Sequence, residues 1–336
     1  MKPLNGMVVL DLTRLLPGAV ATQYLVDWGA EVIKIEQPGS GDYARTAVPA
    51  VFASTNRGKK SVCLDLKNPS GREALLAMAA IADVLVEGNR PGVMARLGLD
   101  YTEVSQRNER LIYVSLTGYG QAGPYADLAG HDINYLALGG VLGMNLPVIP
   151  GVQIADLVGG SLQTVIGILL ALQERLVTGK GRHVDVSMYD GVVSLLTVPL
   201  AIYRDQGRET VPGGERLNGA YACYNVYQAA DGRWVAVGAL EPKFWAELCK
   251  SLHCEDLIPK QYAEGAEQAR VRARIAEIFR TKTAEQWFQE LGDSDCCVTP
   301  VRTVGEVAAE LPSPNGAPSP RLGEHTQEIL SRFGIP

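Results

Sequence analysis

Short apolar blocks recur through the first third of the chain, with longer amphipathic stretches between them. Val8-Val9-Leu10-Asp11-Leu12, Glu31-Val32-Ile33-Lys34-Ile35-Glu36, Ser61 to Leu66, Asp83 to Glu87 and Leu111 to Leu116 predict strands. Helices are predicted over Ala19–Trp28, Pro69–Ala82, Pro91–Leu97 and Tyr101–Asn108. The first of these helices has Pro17 near its start and Gly29 after its end, the usual punctuation. Strand, helix and strand in regular alternation predict an α/β fold. Its mostly parallel sheet is covered on both faces, and its ligands bind beyond the carboxyl ends of the strands.

Past residue 116 the texture changes. A turn-rich loop, Thr117 to Pro124, leads to a helix from about residue 130 toward Leu138, closed by Gly139-Gly140. Then come Gln153-Ile154-Ala155-Asp156-Leu157-Val158-Gly159-Gly160-Ser161 and apolar residues at 162, 165, 166, 169, 170 and 176, a helix that stops at Thr178-Gly179. Asp156 falls at or just before the N-terminus of that helix, and the paired glycines leave room for another backbone or a ligand. Arg182 to Met188 alternates as a strand, a helical run follows to about Tyr203, and Asp205 to Gly219 is polar and glycine-rich. Beyond it, Cys223–Tyr227 and Trp234–Val237 predict a hairpin around Asp231-Gly232. Pro242 opens a helix with Glu241 at its N-cap, and helices at Gln268–Phe279 and Ala284–Leu291 precede a strand at Val298–Val301. The expected organisation is a larger α/β domain over 1–205, a linker and smaller α+β domain over 206–301, and a return of 302–336 to the larger one.

Composition narrows the function. The chain has 336 residues, 46% hydrophobic and 20% charged, enough for a sizeable core. Its net charge of -6 and pI near 5.4 leave no basic stripe for nucleic acid. Six cysteines show no ligand spacing; Cys249, His253 and Cys254 fit no common zinc site, so no metal is expected. Adjacent Cys296 and Cys297 point to thiols in a reducing compartment. The first residues run straight into a strand without the form of a signal peptide. The apolar helix after Asp156 is interrupted by Thr164 and Gly167 and reads as too short and amphipathic for a bilayer. The expectation is a cytoplasmic protein with no membrane partner.

The first turn lacks the G-x-G-x-x-G that would seat a dinucleotide pyrophosphate, which disfavours NAD. Arg57, Lys59, Asn89, Arg90 and Arg96 instead cluster near strand ends, where together they suit the phosphates of a nucleotide-like ligand. His131 lies at a helix start, whose positive end favours a neutral, proton-accepting imidazole; the N–H groups there, Asp132's included, suit a developing oxyanion. Taken singly, each has a structural reading: Asp156 and Glu241 as helix caps, His131 as a packed histidine.

In combination these segments resemble the family III CoA-transferases, and within them the alpha-methylacyl-CoA racemases. The likeness rests on Val32–Glu36, Asn56-Arg57-Gly58-Lys59-Lys60-Ser61, Gly130-His131-Asp132-Ile133-Asn134-Tyr135, Asp156 with Gly159-Gly160-Ser161, Thr178-Gly179-Lys180-Gly181 and Leu322-Gly323-Glu324-His325-Thr326. It implies a Rossmann-like domain, a small α+β domain and a homodimer whose chains interlink like rings. An acyl-CoA substrate is implied, with no cofactor beyond its CoA. Gln37, Arg57, Lys59, Asn89, Arg90, Arg96, Gly130, Asp132 and Tyr135 are placed against that ester. By the resemblance His131 and Asp156 form an acid/base pair that inverts the α-carbon, and Glu241 hydrogen-bonds within their site. The alternative is a CoA-transferase in which Asp156 is the nucleophile. Three departures stand out: a short Gly140–Gly151 loop, Gln37 where relatives often carry arginine, and Ala155 where glycine often precedes the aspartate. No glycine run after Gly219 resembles the covering loop of formyl-CoA transferases.

Overall fold

Six strands pair in parallel in the order β3-β2-β1-β4-β5-β6. They are β1 (Val8–Asp11), β2 (Glu31–Glu36), β3 (Lys60–Cys63), β4 (Val84–Glu87), β5 (Ile112–Thr117) and β6 (His183–Ser187). Every residue of β4 and β5 is buried, as two covered faces require. On one face, the helix Leu16–Asp27 and the long helix ending at Thr178 pack Leu25, Ile168 and Ala171 among Val9, Val86 and Val114. On the other, the helices Pro69–Ala79 and Tyr101–Arg107 set Leu75, Met78 and Val104 among Leu10, Leu85 and Tyr113. Fully burying each such aliphatic side chain is worth about 2 kcal/mol. The strand order reverses direction between β1 and β4, so the loops leaving those strands diverge and open a crevice.

The computed structural model describes residues 1–312 and 317–335. One unit takes residues 1–197 and 317–335, the other 198–312. In the second, β7 (Tyr224–Gln228), β8 (Trp234–Gly238) and β9 (Val298–Pro300) form an antiparallel sheet around a core holding Trp245, Phe279 and Trp287. Two boundaries differ from the sequence reading. The helix Thr197–Gln206 buries no side chain and, from Val198 on, belongs to the smaller unit rather than to a domain ending at 205. The return to the larger unit was expected from 302, but the helix Val304–Glu310 stays with the smaller one, where Arg233 pairs with Glu306 at 2.7 Å. The last part of the expected Pro/Ser-rich passage, 313–316, and residue 336 lie outside the described residues.

Helix begins before Leu162. A π-helix, Ala155–Leu162, runs directly into the α-helix Gln163–Thr178. Asp156 therefore lies inside the first turn, with Ile154 as the cap, and not at or before the N-terminus. The joined segment has 24 residues and is long and apolar enough to cross a membrane by length and composition, contrary to the expectation that it is too short. Thr164 and Gly167 do not interrupt it: Thr164 is buried, and Gly167 leaves the space that Val184 fills. The paired glycines serve backbone packing. A Cβ on Gly159 would stand 2.6 Å from the Met188 carbonyl oxygen, and one on Gly191 only 2.4 Å from the Gly159 Cα.

Charge, where a dinucleotide fold would use glycine, builds the first strand-to-helix turn. Asp11 and Lys59 pair at 3.1 Å and Lys34 pairs with Asp42 at 3.0 Å, all nearly without exposure. Lys34 donates to the Thr13 carbonyl at 2.8 Å, and Asp42 accepts the Leu15 N–H at 3.2 Å. Leu15 is thereby held at φ 54, a left-handed conformation that leucine avoids. Burial alone pushes Asp11 up, but Lys34, Lys59 and the hydroxyls of Thr13 and Thr22 bring it well below the usual carboxylate range. Burial likewise pulls the Lys59 ammonium down to about 8 despite Asp11. Removing one partner of such a pair strands the other, at a cost of about 3 kcal/mol or more. Lys59→Ala is therefore expected to lower the free energy of urea unfolding by about that amount; a loss below about 1 kcal/mol would contradict the ion-pair account.

Candidate active site at the carboxyl ends of the strands

A cleft of about 560 Å³ opens in the larger unit, lined by residues 13–18 after β1, 88–91 after β4 and 116–119 at the end of β5. His131, Tyr135, Gln153 and Asp156 close it on the remaining side. A second cavity of about 210 Å³ lies over the ends of β2 and β3, lined by Gln37, Asp42, Asp65 and Lys67 among others. Thr13, Arg14 and Asn89 line both.

His131 caps the helix Asp132–Leu138 from an extended conformation, and its N–H is accepted by Asn134 Oδ1 at 3.0 Å. The turn before it is braced from below. The Tyr135 hydroxyl donates to the Gly130 carbonyl at 2.7 Å, and the ring stands edge-on to Tyr119 with centroids 5.0 Å apart. Burial, then the charge of Asp156, pushes the Tyr135 phenol up to about 12, so it remains a donor. Asp132, the first residue of the helix, reaches across the cleft wall: its Oδ1 accepts the Asp156 N–H at 3.0 Å. That bond fixes the π-helix start against the His131 turn. Ser161 adds a second tie, its Oγ donating to Pro17 O at 2.7 Å and Asp156 O at 3.1 Å. The histidine turn, the aspartate turn and the β1 loop are thus locked around one space.

The Asp156 carboxyl is pushed up to about 6, first by burial and next by the Asp132 charge, with His131 acting in the opposite direction. A carboxyl with that titration holds or releases a proton near neutrality, which an ordinary aspartate does not. Caps were the structural reading of Asp156 and Glu241, and neither cap forms. Glu241 occupies the N-cap position of the helix Pro242–Ser251 in the smaller unit, but its exposed side chain makes no capping hydrogen bond.

The expected ligand-binding residues divide. Asn89, Arg90, Gly130, His131, Tyr135 and Asp156 meet at the main cleft, Gln37 lines the second cavity, and Asp132 adjoins through Asp156. Lys59 does not reach a ligand space: its Nζ is buried among Asp11, Ala19 O, Thr22 and Asn56. Arg57 is tied to Asp27 at 2.6 Å and to Ser54 O at 2.8 Å. Arg96 is exposed at the end of the helix Val93–Arg96 and lines neither cavity. Arg14 and Lys67, which do line them, were missed. Arg14 is a lone cation just after a strand end, the one signal that could have found it.

The chain belongs to the CoA-transferase family III, whose model matches residues 4–315. Within that family it is 37% identical to the alpha-methylacyl-CoA racemase of Homo sapiens over 99% of this chain and 94% of that protein. It is 32% identical to the succinyl-CoA:glutarate CoA-transferase of Mus musculus, over 98% of this chain and 86% of that one. A CAIB/BAIF family protein from Brucella suis, 28% identical, superimposes with a TM-score of 0.83 over 99% of both chains.

Two expectations follow from the Asp156 environment. Asp132→Asn removes the like charge while keeping an acceptor for the Asp156 N–H, so the acidic limb of kcat/KM against pH moves to lower pH; an unmoved limb contradicts the coupling. A carboxyl whose folded pKa is raised binds more protons folded than unfolded. Stability therefore falls as pH rises from the unfolded value near 4 toward 6. Asp156→Asn is accordingly expected to gain about 2 kcal/mol in urea unfolding at about pH 8 and almost nothing at about pH 4.

Proposed function

We propose that the protein is an acyl-CoA racemase that inverts the α-carbon of a 2-methylacyl-CoA by proton transfer through an enolate. The observation that carries this reading is that one cleft is lined by both an imidazole, His131, and a carboxyl tuned to about 6, Asp156. Inversion needs one group to remove the α-proton and another to return a proton from the opposite face. With one proton shared between the pair, Asp156 is the base for one enantiomer and His131 for the other. The thioester oxygen takes the developing charge, and the Asp132 N–H beside His131 is the donor assigned to it; one such donor is worth about 3 kcal/mol. The 37% identity to a racemase supports the reading.

The CoA portion is assigned to the main cleft and the adjoining cavity, with Gln37, Asn89 and Arg90 against it, and no cofactor beyond CoA is required. Glu241 is retained as a supporting carboxylate, so Glu241→Gln is expected to lower turnover. A homodimer is part of the proposal: Leu170, Leu176 and Val177 on the long helix are 66%, 80% and 83% exposed, an apolar face that a second copy would cover. Light scattering is expected to give twice the 36.1 kDa chain mass, without sedimentation on lipid vesicles; a vesicle-bound monomer contradicts this. The location proposed is the cytoplasm.

A second reading is favoured by one observation: CoA-transferases match nearly the whole chain as well. In that case Asp156 attacks the thioester and His131 only supports the loop. Incubation with a 2-methylacyl-CoA in deuterium oxide separates them. The racemase exchanges the α-proton with no carboxylate acceptor present, and His131→Ala lowers racemisation by about a thousandfold. Transfer of CoA to an added carboxylate without α-exchange overturns the proposal.

A further inference from the structure

Glu87, the last residue of β4, is buried to 2% exposure and appears in neither cavity that holds the proposed chemistry. Its carboxyl turns back over the strand end. Oε2 accepts the Asn89 N–H at 2.7 Å and Asn89 Nδ2 at 3.2 Å. The next residues, Asn89 and Arg90, line the main cleft. In register with Glu87 on β5 is Ser115, whose hydroxyl favours the ionised form of Glu87 and lies 3.0 Å from His183 Nε2 on β6. Polar residues on three neighbouring strands, Glu87, Ser115 and His183, therefore lie side by side and end at the loop that borders the ligand space. They lie against a separate cavity of about 210 Å³, lined by Glu87, Arg90, Ser115, Gln121 and His183.

We propose that Glu87 is a positioning residue for acyl-CoA binding: its carboxyl, with Ser115 and His183 beside it, holds Asn89 in place, and with it the start of the loop that carries Arg90, and holds it more tightly when ionised. The inference rests on the reading that Asn89 and Arg90 face CoA. A carboxylate accepts an N–H bond more strongly than a neutral carboxyl does. Burial raises the Glu87 titration above its ordinary range and Asp185 adds to this, while the bonds from Asn89 and Ser115 oppose it. On the other flank of β4, Asp11 of β1 stands in register with Val86 and is paired with Lys59. Arg90 belongs to the held loop, Asp100 and Tyr101 line the rear cavity, Tyr113 lies on β5, and His183 and Asp185 lie on β6. His183 stacks on Tyr101 with ring centroids 5.4 Å apart, and burial favours its neutral form. Because the group is protonated below its folded titration, the hold weakens toward acid and tightens as pH rises through it.

CoA itself, which undergoes no reaction, is the probe. Its dissociation constant is measured by calorimetry between about pH 5 and about pH 8 for the unaltered protein and for Glu87→Gln, which keeps an acceptor but cannot ionise. The titrations of the CoA phosphates, His131 and Asp156 are common to both proteins and cancel in the ratio. The ratio of variant to unaltered dissociation constants is expected to rise about fivefold from the acid to the alkaline end, the difference between a neutral and a charge-assisted hydrogen bond. A constant ratio overturns the proposal. If Glu87→Gln does not fold, Ser115→Ala takes its place. Loss of that hydroxyl moves the inflection of CoA affinity to higher pH, and an unmoved inflection is again contrary. Failure of the α-proton exchange alone would remove the racemase reading and leave this linkage standing, because CoA binding is read without turnover.

Discussion

Taking one carboxyl out of water, and then keeping a second carboxylate beside it, is the constraint on which the candidate active site depends. Asp156 loses solvation in the cleft wall and faces Asp132 through the same contact that fixes its backbone. Desolvation and like charge act in the same direction, so the proton is bound more tightly than on a free aspartate and the carboxyl is pushed up to about 6. His131 draws the value partly back. A carboxyl set this way is able to act as acid or base at the same pH, which the proposed inversion requires.

The scaffold supplies the rigidity that this placement needs. The π-helix brings Ser161 under Asp156 and lets Gly159 lie against Gly191, so the aspartate is held by backbone packing as well as by hydrogen bonds. Opposite it, the β1 loop is held by Asp42 and Lys34, with Leu15 in a conformation it would not keep unaided. Such strain persists only where the surroundings over-determine it. Buried ion pairs of this kind add little net stability, because desolvation offsets their attraction, but they fix geometry.

Much of the fold was legible because burial on two faces demands near-continuous apolar runs, and β1, β4 and β5 have them, while in β2 Val32, Ile33 and Ile35 stand out between its charged residues. The helix start at Ala155 was not, since π-helical turns break the 3.6-residue spacing by which helices are recognised. His131 and Asp156 were found through their motif context, and their meeting at one cleft required the tertiary structure. Lys59 illustrates the opposite failure. A lysine near a strand end reads as a phosphate ligand, but its partner Asp11 is forty-eight residues earlier, beyond any local pattern. Arg14 was overlooked because a single cation has no periodicity to mark it.

The most direct test of the account is the titration of Asp156 itself, followed by the side-chain carboxyl carbon resonance in protein carrying labelled aspartate, assigned with Asp156→Asn. A midpoint near 6 is expected in the free protein. A midpoint near 4, the value of an exposed aspartate, would mean that the carboxyl is not desolvated, and the acid/base role assigned to it would be lost.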